Sequence, residues 1–341
     1  MTNSAALRIG TRGSQLALYQ ARTVAALVGE RAGVACEIVV IRTSGDRLAE
    51  AALSEIGGKR LFVKEIEDAL LAGDVDLAVH SSKDMPVVLP AGLEIGAVLP
   101  REDPRDALVL PGSVPLSAGA LPLGAVRDAG LDVGLDGVVA RLGQTPRIGT
   151  SSVRRSAQLR SLFPGGSFLP IRGNLDTRLH KVDAHDFDVI VLAAAGLRRL
   201  EQGHRISATV PVETCVPAPG QGIIAIEMRG DDDRMRRLLE QVNDREARAA
   251  LEAERATVVR LGGGCQMPIG AYAAVTGDRI AVTAVVISLD GTRAIRAAAS
   301  GALADAVAIG TAVAADLLAH GASEILADVE RSLGAVTGRQ P

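Results

Sequence analysis

Aromatic side chains are nearly missing from this chain of 341 residues: tryptophan is absent, with two tyrosines and four phenylalanines. Its cores must therefore be packed from Ala, Val, Leu and Ile, within a hydrophobic content of 48%. Cysteine is scarce as well. Cys36, Cys215 and Cys265 stand apart, odd in number, with no CxxC and no neighbouring histidine, which argues against a disulfide framework and against zinc. The histidines at 80, 180, 185, 204 and 320 show no ligand spacing, so no metal is expected. No excess of one charge exists either. With 37 basic and 40 acidic residues the net charge is −3, and no overall field favours nucleic acid. The N-terminus lacks a charged segment followed by an apolar one, so no signal peptide is expected. The alanine-rich run near 305–318 contains Asp316 and is too short to span a bilayer. These absences lead us to expect a reduced, cytoplasmic protein with no nucleic-acid or membrane partner, long enough for two or three domains.

What is present is most informative at Glu254-Arg-Ala-Thr-Val-Val-Arg-Leu-Gly-Gly-Gly-Cys265-Gln-Met-Pro-Ile-Gly270. One thiol stands on a glycine-rich loop, past a helix and before a proline. Gly262, Gly263 and Gly264 are expected to leave the helix with positive φ, and Pro268 stops it from resuming. Such a thiol can carry something bulky; it can also be a buried structural cysteine.

Two segments echo each other. Arg8-Ile-Gly-Thr-Arg-Gly-Ser14 and Arg147-Ile-Gly-Thr-Ser-Ser152 each read as a short strand running into a helix start. Ser14 is the expected N-cap of a helix over 15–31, with Leu16, Tyr19, Thr23, Leu27 and Val28 on one face. Ser151 or Ser152 would cap the helix carrying Arg154 and Arg155. Downstream, Asp74-Val-Asp-Leu-Ala-Val79 and Asp186-Phe-Asp-Val-Ile-Val191 form another matched pair of apolar strands. The expected fold class is α/β: two similar domains of the periplasmic-binding-protein type around a cleft, plus a small C-terminal α+β domain. The expected boundaries are 1–99 with 223–240 for the first, 105–216 for the second and 245–341 for the third. Residues 223–226 read as a strand returning to the first domain. The third is expected to hold a helix over 244–261, strands over 269–275, 279–288 and 292–300, and helices from 303 to 331. Segment 111–146 reads as a surface insertion or an elaborated connection. Cys265 would then face the cleft from the third domain.

In open α/β sheets ligands sit at the carboxyl ends of strands, where helix N-termini supply N–H groups. Arg12, Arg154, Arg155, Arg172, Arg178 and Arg199 fall at such places, joined by Lys59 and Lys83. Guanidiniums beside amides and hydroxyls suit a ligand with several carboxylates, although scattered surface arginines read the same way. Asp84, in Ala78-Val-His-Ser-Ser-Lys-Asp-Met-Pro86, is either a turn cap or a carboxylate in a basic cleft that stabilises developing positive charge. Gly57-Gly-Lys-Arg-Leu-Phe-Val-Lys64 lacks the ending of a phosphate-binding loop and reads as a lid, with Phe62 over a flat ligand or in the core.

RIGTRGSQLALYQA, HSSKDMP, REDPRDAL, GTSSVRR, IRGNLDTRL, LAAAGLRRL, PAPGQG and LGGGCQMPIG, in this order along nearly the whole chain, resemble the porphobilinogen deaminase family, also called hydroxymethylbilane synthase. The resemblance implies a transferase that condenses four porphobilinogen units head to tail into a linear tetrapyrrole, releasing ammonia at each step. It implies a dipyrromethane cofactor bound by a thioether to Cys265, and a monomer. Asp84 would bind pyrrole N–H groups and stabilise the cationic azafulvene. Arg12, Ser14, Arg172, Arg178 and Arg199 would hold substrate or chain carboxylates, with Lys59 and Phe62 beside them. Ser81, Lys83, Thr150, Ser152, Arg154 and Arg155 would surround the cofactor. Three departures stand out: the long 111–146 segment, Met267 in place of a β-branched residue, and Glu55 where many relatives carry lysine. Two other functions fit parts of the pattern. A solute-binding protein would share the paired domains, and a thiol hydrolase or acyltransferase would use Cys265 but want a partner base.

Overall fold

The computed structural model describes residues 6–43, 63–112, 134–264 and 267–337. The chain opens with β1 (Leu7–Thr11), α1 (Gln15–Ala32), β2 (Cys36–Val40), α2 (Lys64–Ala72), β3 (Leu77–Ser81) and β4 (Leu93–Val98). It then builds β5 (Asp106–Val109), α3 (Gly134–Leu142), β6 (Arg147–Gly149), α4 (Val153–Leu159), β7 (Ser167–Leu169), α5 (Leu175–Asp183), β8 (Val189–Ala193), α6 (Ala194–Arg199) and β9 (Ala208–Val210). Next come β10 (Ile224–Arg229) and α7 (Asp233–Glu240). The last part holds α8 (Arg245–Leu261), β11 (Ile269–Thr276), β12 (Arg279–Ile287), β13 (Ala294–Ala302), α9 (Ala306–Ala319) and α10 (Ala322–Thr337).

These strands make three sheets, ordered β2-β1-β3-β10-β4, β7-β6-β8-β5-β9 and β11-β12-β13. The first two share one plan: three parallel strands, then an antiparallel strand that enters from the connection between the domains. Central strands β3 and β8 are buried over four successive residues, as strands covered on both faces must be. The third sheet is antiparallel, and its apolar face packs under α8 and α9 in an alanine-rich core. Small side chains let these helices approach closely: a Cβ on Gly310 would lie 2.1 Å from the Ala253 carbonyl oxygen.

Several expectations hold residue by residue. Ser14 caps α1 by accepting from the Ala17 N–H, and Ser152 caps α4 by accepting from the Arg155 N–H. Ser151 instead donates to the Ile171 carbonyl at 2.7 Å. Residues 224–229 return to the first sheet as β10, beside β3. Others need correction. The buried face of α1 is Gln20, Ala21, Val24 and Val28, whereas Tyr19 is exposed. The larger residues point along the helix flank; small Ala21 and Val24 let α1 sit close on the sheet, and the Gln20 amide donates to Ser81 Oγ at 2.8 Å. Of the three loop glycines only Gly262 has positive φ, at 68°. Gly263 is required for space, since a Cβ there would meet Ile269 Cδ1 at 2.3 Å. Part of segment 111–146 belongs to the second sheet's layer: α3 buries Val138 in that core. Residues 113–133 lie outside the described residues. The helices after 303 break at His320–Gly321, where Gly321 takes φ 95°.

Two crossing segments, 99–105 and 211–223, join the first two sheets and bond to each other. The Leu99 N–H donates to the Ile224 carbonyl and the Glu102 N–H to the Gly222 carbonyl, both at 3.0 Å. The fully buried Glu254 of α8 ties the third sheet to this hinge. Its carboxylate accepts from the Gly220 N–H at 2.6 Å, from the Ala273 N–H at 2.7 Å, and from the Arg101 guanidinium. Arg101 in turn lies over the Tyr272 ring, 4.9 Å from its centroid. Glu254→Ala would strand a half-buried guanidinium and two buried amides, so we expect it to lose about 3–5 kcal/mol. Chemical denaturation followed by circular dichroism checks this, and an unchanged midpoint would contradict the assignment.

Candidate active site

Two cavities meet around the 3-10 turn Ser82–Asp84, which continues directly from the carboxyl end of β3. The first spans about 410 Å³ including its open mouth and is lined by Arg12, Ser14, Gln20, His80, Ser81 and Asp84, with Val63 and other apolar neighbours. The second, about 610 Å³, is lined by Lys83, Ser82, Ser152, Arg154 and Arg255 over apolar Met85, Leu251 and Val258. Gly264 and Met267, which flank Cys265, also line it. Cys265 itself, Lys59, Phe62 and Glu55 lie outside the described residues.

The turn that carries Lys83 and Asp84 is fastened from three directions. The Ser82 N–H donates to the Ile223 carbonyl at 3.0 Å, Ser81 pairs with Gln20, and Arg255 of α8 donates to the Pro86 and Val87 carbonyls. Asp84 is exposed toward the cleft, as a carboxylate that meets a ligand must be. Burial lowers the Lys83 ammonium to about 8, against the pull of Asp84 and Asp106, with Arg155 and Arg154 adding to the fall. From the second sheet, burial also lowers the Arg178 guanidinium, with Arg155 and Arg12 acting in the same direction and Asp84 opposing. Arg178 therefore feels Asp84 and Arg12 across the cleft, although its Nε donates to the Gly173 carbonyl at 2.8 Å.

Arg199 lies at the hinge, donating to the Gly222 carbonyl at 2.7 Å, and its guanidinium is lowered mainly by burial. Arg172 is half-buried after β7 and lines neither of the two cavities. Thr150 is buried, and its hydroxyl accepts from the Ser152 N–H at 3.2 Å.

The sequence placed Arg154 and Arg155 against a ligand; the structure commits both to a residue that reasoning missed. Asp106 is fully buried and accepts from Arg154 at 2.8 Å and from Arg155 Nε at 2.9 Å. Gln221 adds a bond at 2.9 Å. Burial alone would push the Asp106 carboxyl up, but the two guanidiniums hold it far below the ordinary carboxylate range. Beside them burial pushes the Cys215 thiol up to about 12, so it is no nucleophile. Arg154 keeps one unsatisfied donor: its buried Nε has no partner among the described residues, as is true of Ser82 Oγ, and both residues line the second cavity. The motif REDPRDAL held Asp106 at the start of an apolar strand, which is the one signal that could have found it.

The family described as "Porphobilinogen deaminase, dipyromethane cofactor binding domain" matches residues 7–237, and "Porphobilinogen deaminase, C-terminal domain" matches 249–319. The chain belongs to the porphobilinogen deaminase family. The Geobacter metallireducens porphobilinogen deaminase is 43% identical over 95% of this chain and 94% of that protein. The one from Geobacillus kaustophilus is 45% identical over 96% of this chain and 98% of that protein. Among solved structures, immunogenic lipoprotein A from Vibrio vulnificus overlays with a TM-score of 0.40 at 11% identity, covering 71% of this chain and 96% of that one. A dipyrromethane bears acidic side chains on flat rings. The second cavity suits it: cationic and hydroxyl donors, two of them unsatisfied, stand over an apolar floor beside the cysteine loop. Among the described residues no cluster of His, Cys, Asp and Glu could hold a metal, and no single helix is long and apolar enough to cross a membrane.

Lys83 offers a direct check. In primer-free Cys265→Ser protein its amine should be acylated with a midpoint of about 8, well below the ordinary 10.5 of an exposed lysine. Asp84→Asn should move that midpoint lower still, because it removes a charge that favours the ammonium. Site-resolved mass spectrometry across pH reads both, and a Lys83 midpoint near the ordinary value would refute this picture.

Proposed function

We propose that this chain is a hydroxymethylbilane synthase, a transferase of tetrapyrrole biosynthesis. It joins four porphobilinogen molecules head to tail with loss of ammonia at each step. The observation that carries the reading is Asp84, placed between Arg12 and Ser14 of one sheet and the cavity bordered by the Cys265 loop. A dipyrromethane joined to Cys265 by a thioether supplies a pyrrole carbon as the permanent primer for chain growth. The protein's residues do the rest. Asp84 accepts from a pyrrole N–H of the substrate and stabilises the positive charge that develops as the amine departs, where fixed electrostatics are most effective. Arg12, Ser14, Arg172, Arg178 and Arg199, with Lys59 and Phe62, hold the substrate and the acid groups of the growing chain. Ser81, Lys83, Thr150, Ser152 and Arg154 hold the primer, and Arg155 acts beside them through its bond to Asp106.

We divide the chain into 1–99 with 223–240, 105–216 and 245–341, which the two crossing segments and the Glu254 bonds support. We take the protein to work in the cytoplasm as a monomer without nucleic-acid or membrane partners, in keeping with its net charge of −3. A solute-binding role is not favoured, since the relatives named above are deaminases. No histidine or carboxylate to serve a thiol hydrolase as base stands among the described residues lining the cysteine-loop cavity.

Intact-mass measurement of purified protein should find an excess of two linked pyrrole units, absent from Cys265→Ser. Unmodified protein with full activity would defeat the covalent primer. Asp84→Ala should keep the fold and the excess mass while turnover falls roughly 100-fold or more, the scale seen when a preorganised electrostatic group is removed. Steady-state assay of ammonia release or of product decides it.

A further inference from the structure

The wall of the first cavity contains a buried acid–imidazole pair with no role in the reaction as described above. His80 Nε2 lies 3.0 Å from Glu227 Oε2, with the two side chains 4% and 0% exposed. The second carboxylate oxygen, Oε1, is buried and has no hydrogen-bond partner among the described residues. Such a group costs stability, and buried polar pairs are often replaceable by apolar ones without loss. Their best-attested use is to fix register.

Register is what this pair can fix. Strands β3 and β10 run antiparallel, with Ala225 opposite His80 and Glu227 opposite Ala78, so the pair is a diagonal contact across the strands. Sliding the strands by two residues would keep every side chain on its own face, and apolar neighbours would resist it weakly. A slide that moves Glu227 away from His80 would strand the carboxylate; a slide the other way would set the two directly opposite and replace their diagonal contact. On the other side of β10 the pairing with β4 shifts between Ile226 and Glu227, skipping Gly96. A Cβ at Gly96 would meet Leu239 Cδ1 at 2.5 Å, so this irregularity is built in, and bulges of this kind commonly re-aim a side chain beside a site. The turn holding Asp84 begins two residues after His80, and β10 comes straight from the hinge.

We infer that the His80–Glu227 pair is a positioning dyad for the condensation site, setting the register of β3 on β10 and through it the placement of Asp84. This rests on the synthase reading given above. The test uses the full-length protein with its primer and the variants Glu227→Gln, His80→Asn and their combination. Porphobilinogen turnover, intact mass and thermal midpoint are measured on each. Each single change should lower kcat about tenfold or more, since small misplacements cost that much. KM should stay within about threefold and the primer mass should be retained. Because the two residues act as one unit, the double variant should lose no more than the worse single one. Single variants with kcat within about twofold of wild type would overturn the inference, as would losses matched by missing primer or by unfolding in all three variants. If a single variant fails to fold, the amide pair of the double variant decides: wild-type kcat there overturns it, and reduced kcat with primer in place supports it. A wild-type protein that does not consume porphobilinogen would instead refute the synthase reading.

Discussion

Asp106 stands where the hinge becomes β5, and its two oxygens are divided between Arg154 and Arg155. Three charges withdrawn from water are unfavourable singly, by several kcal/mol per ion, and hold together only when geometry and hydrogen bonding are nearly complete. Here they are. The Arg154 guanidinium also reaches the Val216 carbonyl at 2.7 Å, Arg155 the Val191 carbonyl at 3.0 Å, and Gln221 bonds both Asp106 and the Pro104 carbonyl. One carboxylate thereby links both crossing segments, the middle of β8 and the start of α4. It also decides what Arg154 presents: an edge of the guanidinium, with its position fixed before any ligand arrives.

The two cavities divide their chemistry around one turn. On the side of Arg12, Ser14 and Asp84 the groups are half-buried or exposed, as suits molecules that arrive and leave. On the side of Lys83, Ser152 and Arg154, Arg154 is buried and the other two half-buried over aliphatic carbon, as suits a group that stays. The depressed Lys83 ammonium belongs to that side, and an anionic partner would raise it again.

Much of this could be read from the chain itself. The paired strand-to-helix openings, the Ser14 and Ser152 caps and the exit of α8 at Gly262 depend on neighbours in sequence, and local chemistry predicts them. Arg12, Ser14 and Asp84 line one cavity and Lys83, Ser152 and Arg154 the other; Ser81, expected with the second group, lines the first. The failures have a common cause. Helical periodicity puts Leu16, Tyr19, Thr23, Leu27 and Val28 on one face of α1, whereas contact with the sheet a long way off in sequence buries Gln20, Ala21, Val24 and Val28. Asp106 is 48 residues from Arg154, and Glu227 is 147 from His80. No periodicity reports a partner so distant, and each arginine looked available because its acid was out of sight.

The return of β10 has a consequence for how the protein comes into being. Residues Asp106 to Val210 supply every strand of the second sheet in one unbroken stretch, so it can close as soon as that stretch leaves the ribosome. The first sheet cannot. Its opening strands emerge earliest, yet β3 lacks its antiparallel neighbour until Ile224–Arg229 has been made. During synthesis the part of the chain that holds Asp84 waits with one strand edge bare, and the later-made half is complete before the earlier one.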